Sequence, residues 1–347
     1  MQRRDLLTLF GLSCLSALAS GQSRVPIADA HNHIGLLRRN TDSIPRLASL
    51  MRDAGVNLLS WSVVPDAPFL KFSSSGVEQA RQIRPGELSA SFDRQVGNAT
   101  AGIHGNGVSI VRTVEDLEKA SRGEPCVVLT TEGADFLEGT LDGLAAAYDR
   151  GIRHVQLVHY IQNPVGDLQT EKPMHSGLSE FGKRLIKALN AQGILIDLAH
   201  STGASIDQAM ELSTVPMIWS HGFISGTEPG WTAGGWKSRG LSEAHAKKLA
   251  QTKGAVGLWC LSASFGGGLD GYASEIIRMI HLLGPEHVMF GTDEDGLPSG
   301  AVIEQLGDLR KVVDILARRG VEEKVLRAVA FENYLRCLRT AFTAKAV

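Results

Sequence analysis

Between Ile194 and His221 the chain reads ILIDLAH, then a helix-length segment, then VPMIWSH. Both apolar runs are short, and each stops on a histidine, His200 or His221. Runs of this kind, separated by helical sequence, read as strands buried on both faces, the pattern of a parallel sheet. Such sheets gather ligands at the carboxyl ends of their strands. Two imidazoles at neighbouring strand ends can share a metal ion, or they can simply cap the strands and bond to the backbone. The rest of the chain has to decide between these.

The same alternation runs through the whole sequence. Strands are expected at Val25–Asp29, Val56–Val64, Cys126–Thr131, Ile152–Val158, the two runs above, Ala255–Leu261 and His287–Thr292. Helices are expected at Asp42–Gly55, from Thr113 to Arg122, and at Leu141–Asp149, Glu180–Gln192, Ile276–Leu283, Gln305–Arg318 and Glu322–Arg339. Thr113 to Asp116 has the form of a capping box, and Gly193 is a C-terminal stop. Residues 66–106 form a long insertion, with a helix expected within Val77–Ile83; an insertion on the ligand side of an α/β fold helps wall a site.

Strands interleaved with helices over about 320 residues predict a single-domain (β/α)8 TIM-like barrel spanning residues 22–347. The runner-up, an open doubly wound sheet, lacks a Gly-x-Gly-x-x-Gly after the first strand. Gly266-Gly267-Gly268 lacks the lysine of a phosphate loop and reads as a turn.

Residues 1–21 are not part of that fold. Arg3-Arg4, an apolar stretch from Leu6 to Leu18 and the small-residue site Ala17-Leu18-Ala19 read as an export signal of the twin-arginine type. That predicts a periplasmic protein without a stable membrane span. The net charge of -2 offers no ground for nucleic acid or an anionic membrane as partner. Beyond the signal, Cys126, Cys260 and Cys337 are too dispersed for a zinc knuckle or a disulfide framework.

Polar residues end the first, third, fourth, fifth, sixth and eighth expected strands: His31 with His33, Glu132, His159, His200, His221 and Asp293. His31 and His33 alternate with Asn32 and so share a face. A barrel would bring these ends to one rim, suited to two Zn2+ ions or to one. Such ions activate water near neutral pH, so no serine or cysteine nucleophile is needed. No Gly-x-Ser-x-Gly elbow is present at a strand-to-helix turn.

Several stretches then carry a family resemblance. They are Gly177-Leu178-Ser179-Glu180-Phe181-Gly182, Ile196-Asp197-Leu198-Ala199-His200-Ser201, Ser220-His221 and Gly291-Thr292-Asp293-Glu294-Asp295-Gly296. Trp61 to Pro65, Glu132-Gly133 and Asn333 to Arg336 add to them. From Ile27 to Arg336 the chain resembles the membrane dipeptidase (renal dipeptidase) family of metal-dependent amidohydrolases. The resemblance implies that His31 and His33 hold a first zinc, His200 and His221 a second, and that Glu132 bridges them. It implies that His159 steadies the oxyanion, that Asp293 carries a proton from the attacking water to the leaving amine, and that Arg239 binds the substrate carboxylate. It also implies dipeptide substrates, including those with a C-terminal D-residue, and leaves a homodimer open. The alternative is another hydrolase of the superfamily, acting on N-acyl amino acids, lactones or lactams.

Three departures from the family stand out. His33 replaces the usual aspartate and removes a negative charge from the first site. Glu294 stands where an aromatic residue is common, either facing solvent or favouring a cationic substrate group. Gly222 to Gly240 is longer than the family's loop, and Trp231 and Trp236 among its glycines could form a lid.

Overall fold

The computed structural model describes residues 25–33, 35, 46–73, 76–226 and 236–344. The expected export signal, residues 42–45 of the first expected helix, and Trp231 lie outside the described residues.

The chain opens with β1 (Ile27–Asn32), α1 (Leu47–Ala54) and β2 (Val56–Val63), followed by a hairpin of β3 (Leu70–Ser73) and β4 (Gly76–Gln79). Next come α2 (Glu87–Gly105), β5 (Ser109–Ile110), α3 (Val114–Ser121), β6 (Cys126–Thr131), α4 (Asp142–Asp149) and β7 (Ile152–Gln156). The second half contributes α5 (Glu180–Gln192), β8 (Leu195–Asp197), α6 (Gly203–Leu212), β9 (Ile218–Trp219), β10 (Phe223–Ser225) and β11 (Gly240–Ser242). It closes with α7 (Glu243–Gln251), β12 (Ala255–Leu258), α8 (Gly268–Leu283), β13 (Val288–Phe290), α9 (Leu306–Arg318), α10 (Glu323–Arg327) and α11 (Asn333–Ala344).

The main sheet follows the order β1-β2-β6-β7-β8-β9-β12-β13, with β5 paired beside β6 and neighbouring strands parallel. The ring closes just past its last strand. His33 N donates to Glu294 O at 2.9 Å, and Asp293 N donates to His31 O at 3.0 Å. This is the expected barrel.

Its floor is apolar. Ala28, Ala30, Leu58, Val128, Leu195 and Met289 pack on Phe331, Tyr334 and Leu338, so α11 plugs the amino-terminal end of the ring. Above that floor the inward positions turn polar, with Ser60, Thr130, His154 and Asp197 all buried. The rim lies one layer higher still.

Two glycines let the strands approach one another there. A Cβ at Gly257 or at Gly291 would collide with the carbonyl oxygen of Ser220, so both must lack one. Helix ends follow local chemistry. Thr113 and Asp116 form the reciprocal capping box of α3, and Gly193 ends α5 in the left-handed region at φ 69°.

One expectation is corrected. No helix forms at Val77–Ile83: Gly76–Gln79 is β4, and the helix of the insertion is α2. Leu88, Phe92, Val96, Ala99 and Ile103 give α2 a continuous buried stripe, which outweighs Gly97 and Gly102 within it. Glu322–Arg339 is helical as expected, with one irregularity. A π-helical turn at Ala328–Glu332 separates α10 from α11. There Asn333 Nδ2 donates to Pro285 O at 2.7 Å and Val288 O at 2.8 Å, tying the start of α11 to the barrel.

Candidate metal centre

The barrel delivers each rim residue by a local device. In β1 the register to β2 slips between Asp29 and Asn32, which places one extra residue on the β1 side. That bulge turns His31 and His33 to the same interior. Glu132 follows β6 directly, and its amide donates to Val63 O at 2.8 Å. Gly133 comes next at φ 97°, where a Cβ would strike the Asp135 carboxylate. His200 and Asp293 lie at φ 68° and 58°, in the left-handed region that non-glycine residues rarely adopt. Such backbones cost roughly 1–3 kcal/mol each and persist where surrounding structure over-determines them.

All of these side chains meet around one carboxylate. Glu132 Oε1 lies 3.1 Å from Nε2 of His200, 3.4 Å from that of His221 and 3.5 Å from that of His31. Glu132 Oε2 lies 3.3 Å from Nε2 of both His33 and His159. Asp293 Oδ1 is 3.2 Å from His33 Nε2 and 3.9 Å from His31 Nε2. The ring nitrogens of His31 and His33 face each other at 2.9 Å, and those of His200 and His221 at 3.3 Å. Imidazole lone pairs and carboxylates converging this closely in a buried space form a donor set that fits a divalent cation. Two of the groupings could each hold an ion: His31, His33 and Asp293, and Glu132, His159 and His200.

The inward orientation of Nε2 is set from behind. His33 Nδ1 lies 3.2 Å from Ser62 O, and His221 Nδ1 2.8 Å from Ser220 Oγ, which is also 3.4 Å from His31 Nδ1. Asp66 Oδ1 accepts from His159 Nδ1 at 2.7 Å. His200 is the exception: among the described residues its Nδ1 has no partner. Outer contacts of this kind select the tautomer and fix the ring of a ligating or polarising histidine.

Charge within the cluster is uneven. Burial pulls His33 down, but the Glu132 and Asp293 carboxylates outweigh it and hold the imidazole protonated up to about 10. His200 goes well below its ordinary value through burial and the Arg239 charge, and His221 through burial and His31. Burial raises Glu132, yet the His159, His31 and His33 charges hold it well below the carboxylate range. His159 is lowered by burial and raised further by Asp66 and Glu132, so that it ends above its ordinary value.

Above the cluster opens a cavity of about 460 Å³ lined by His33, Glu132, His159, His200, Arg239 and Asp293 among others. Arg239 is delivered by the short turn Trp236–Arg239 and is only 2% exposed. Its Nη2 lies 3.1 Å from His221 Nε2 and its Nη1 donates to the Tyr160 hydroxyl at 3.3 Å, while Nε has no partner among the described residues. A buried guanidinium with a spare N–H beside a cavity is suited to an anionic group. Glu294 does not face that cavity as a free acid. Its Oε2 accepts from Asn32 Nδ2 at 3.0 Å, at the seam that closes the barrel.

The structure therefore brings together all eight residues singled out in the sequence: His31, His33, Glu132, His159, His200, His221, Arg239 and Asp293. Asp66 had not been singled out. It follows Val64-Pro65 at the end of the second strand, the kind of position every other rim residue occupies. Treating Pro65 as the stop of that strand hid the next polar residue.

The family model described as membrane dipeptidase (peptidase family M19) matches residues 22–347. The chain belongs to that family. Among the membrane dipeptidase relatives, dipeptidase tcpJ of Claviceps purpurea is 23% identical over 245 residues, covering 68% of this chain and 56% of that protein. Dipeptidase aclJ of Aspergillus oryzae is 27% identical over 229 residues, covering 63% and 52%. The match thus spans about half the length of these curated relatives. The membrane dipeptidase fold is shared with the crystal structure of dipeptidase AC at TM-score 0.77 and 20% identity, over 92% of this chain and 99% of that one. A metallo peptidase from Rhodobacter sphaeroides, liganded with a phosphinate mimic of the dipeptide L-Ala-D-Ala, gives 0.77 at 19% identity with the same coverages.

Proposed function

We propose that this chain is a zinc-dependent dipeptidase that hydrolyses dipeptides, including those with a C-terminal D-residue. The observation that carries the reading is the convergence of the Nε2 atoms of His31, His33, His159, His200 and His221 on the Glu132 carboxylate within 3.5 Å, in a buried pocket. His31, His33, His200, His221 and Glu132 would hold two zinc ions. Bound there, zinc supplies Lewis-acid polarisation of the scissile carbonyl and activates water near neutral pH.

The chain's own groups do the rest. Arg239 takes the free α-carboxylate and so sets which amide lies over the cluster. His159, held by Asp66 with Nε2 inward, donates to the oxygen that becomes negative as the carbonyl turns tetrahedral. Asp293 accepts the proton of the attacking water and passes it to the departing amine. The Rhodobacter sphaeroides relative, liganded with a mimic of L-Ala-D-Ala, supports the D-residue at the C-terminal position. The Arg3-Arg4 pair and the apolar stretch after it support export to the periplasm, with residues 22–347 as the exported barrel.

The test joins zinc content of the purified protein to turnover of L,L- and L,D-dipeptides, their carboxyl-blocked forms and N-acyl amino acids. The dipeptidase reading expects bound zinc, cleavage of free dipeptides and loss on carboxyl blocking. Cleavage of acylated amino acids or lactones without dipeptide turnover would favour another hydrolase of the superfamily.

A further inference from the structure

The hairpin β3–β4 has two unlike faces. Phe72 pairs with Val77 and Lys71 with Glu78, so alternate residues part to opposite sides. Leu70, Phe72 and Val77 line the cavity, whereas Lys71 is paired at 3.4 Å with Glu78 and is exposed. Phe72 is 57% exposed, a large apolar ring left uncovered at the cavity mouth. Leu297 and Pro298, after β13, also line the cavity.

The position of this wall relative to Arg239 follows from the strand order. The hairpin is inserted after β2, and Arg239 lies between β9 and β12. In the ring β1-β2-β6-β7-β8-β9-β12-β13, β2 and β9 are four places apart, which puts them on opposite sides of the rim. A dipeptide anchored by its carboxylate at Arg239, with its amide over the cluster, directs its N-terminal residue toward the hairpin. Among the described residues, every charged side chain lining the cavity belongs to the cluster or is Arg239 itself. The arc formed by Leu70, Phe72, Val77 and Leu297 offers nothing to balance a charge.

We propose that this arc is the specificity subsite for the N-terminal residue of the dipeptide and selects a bulky apolar side chain, which covers Phe72 when bound. The inference rests on the dipeptidase reading and names the substrate class within it. Burying an aliphatic or aromatic side chain there removes both its own apolar surface and that of Phe72 from water, whereas an aspartate or lysine would lose solvation without a partner.

The experiment measures kcat/KM of the zinc-loaded protein for X-D-Ala, with X as L-Phe, L-Leu, L-Ala, L-Asp or L-Lys, and for L-Ala-D-X with X varied likewise. The first series should favour Phe and Leu over Ala by about tenfold, with Asp and Lys below Ala. The second series should show a weaker dependence. Phe72→Ser should cut the Phe-to-Ala ratio several-fold, while Lys71→Ser, on the outer face, should leave the ratio and the turnover unchanged. Equal rates across the first series, a preference that tracks the C-terminal residue, or a ratio untouched by Phe72→Ser would each overturn the subsite while the dipeptidase reading stands. Absence of turnover for every dipeptide would overturn that reading and this one with it.

Discussion

Asp66 and His159 form a buried carboxylate–imidazole pair, with Asp66 Oδ1 2.7 Å from Nδ1 and Asp66 Oδ2 accepting from the Tyr160 amide at 3.2 Å. One carboxylate thus fixes both the ring that faces Glu132 and the backbone that carries it. The arrangement keeps a proton on Nδ1 and makes Nε2 the working atom.

Asp66→Asn should therefore slow dipeptide turnover by about 10- to 100-fold while zinc content stays at the wild-type level. Metal analysis beside steady-state kinetics checks it. A fall in zinc would make Asp66 part of the metal support, and unchanged kcat would remove its hold on His159.

Glu132 is the hub of the cluster and His200 sits 3.1 Å from it. Glu132→Gln and His200→Ala should each lose zinc and activity together, because each removes a donor from a buried site that cannot recruit another. Retention of full turnover by either variant contradicts the assignment.

Asp293 lies beside His33 at 3.2 Å but is one donor among several. Asp293→Asn should keep zinc bound and lower kcat by about 10²- to 10⁴-fold, the usual weight of a positioned general base. Wild-type kcat in this variant would end its role as proton carrier.

Zinc affinity should depend on pH in a calculable direction. Burial opposes a charge on His33, but Glu132 and Asp293 keep it protonated up to about 10, while His200 and His221 are lowered and stay neutral. A cation must then displace the His33 proton, so affinity rises with pH between neutrality and about 10. Calorimetric titration of zinc in two buffers of different ionisation enthalpy counts that proton. A pH-independent affinity contradicts the balance of charge described here.

The floor of the barrel makes a separate prediction about stability. Leu338 of α11 is fully buried against strand residues that include Ala28, Leu58 and Leu195. Leu338→Ala should destabilise the metal-free protein by about 2–5 kcal/mol in denaturant unfolding. A loss below about 1 kcal/mol would mean that the plug collapses freely onto the gap.

Much of this centre was legible before any coordinates, for a definite reason. Parallel strands buried on both faces are written as apolar runs, so a histidine or acid at the end of one stands out. His31, Glu132, His200 and Asp293 were all found that way. The positions that escaped are those whose meaning comes from a neighbour distant in sequence. Asp66 looks like the start of a loop until His159, 93 residues on, is folded against it. Glu294 looks like an added charge at the site until Asn32, 262 residues away, claims its carboxylate. The short strand β4 was read as the start of a helix, and β3 was left within the insertion, because four-residue strands carry too few residues to display a period.

By itself the order of residues determined the barrel and the identity of its rim donors, since buriability and period are local properties of a chain. Only the folded ring decided the rest. It set the Glu132 carboxylate at the centre, brought Arg239 beside His221 and Tyr160, held a proton on His33 and turned Glu294 into a seam. Each of those depends on which strands become neighbours and on how deeply water is excluded between them, and distance and dielectric are set by the assembled structure.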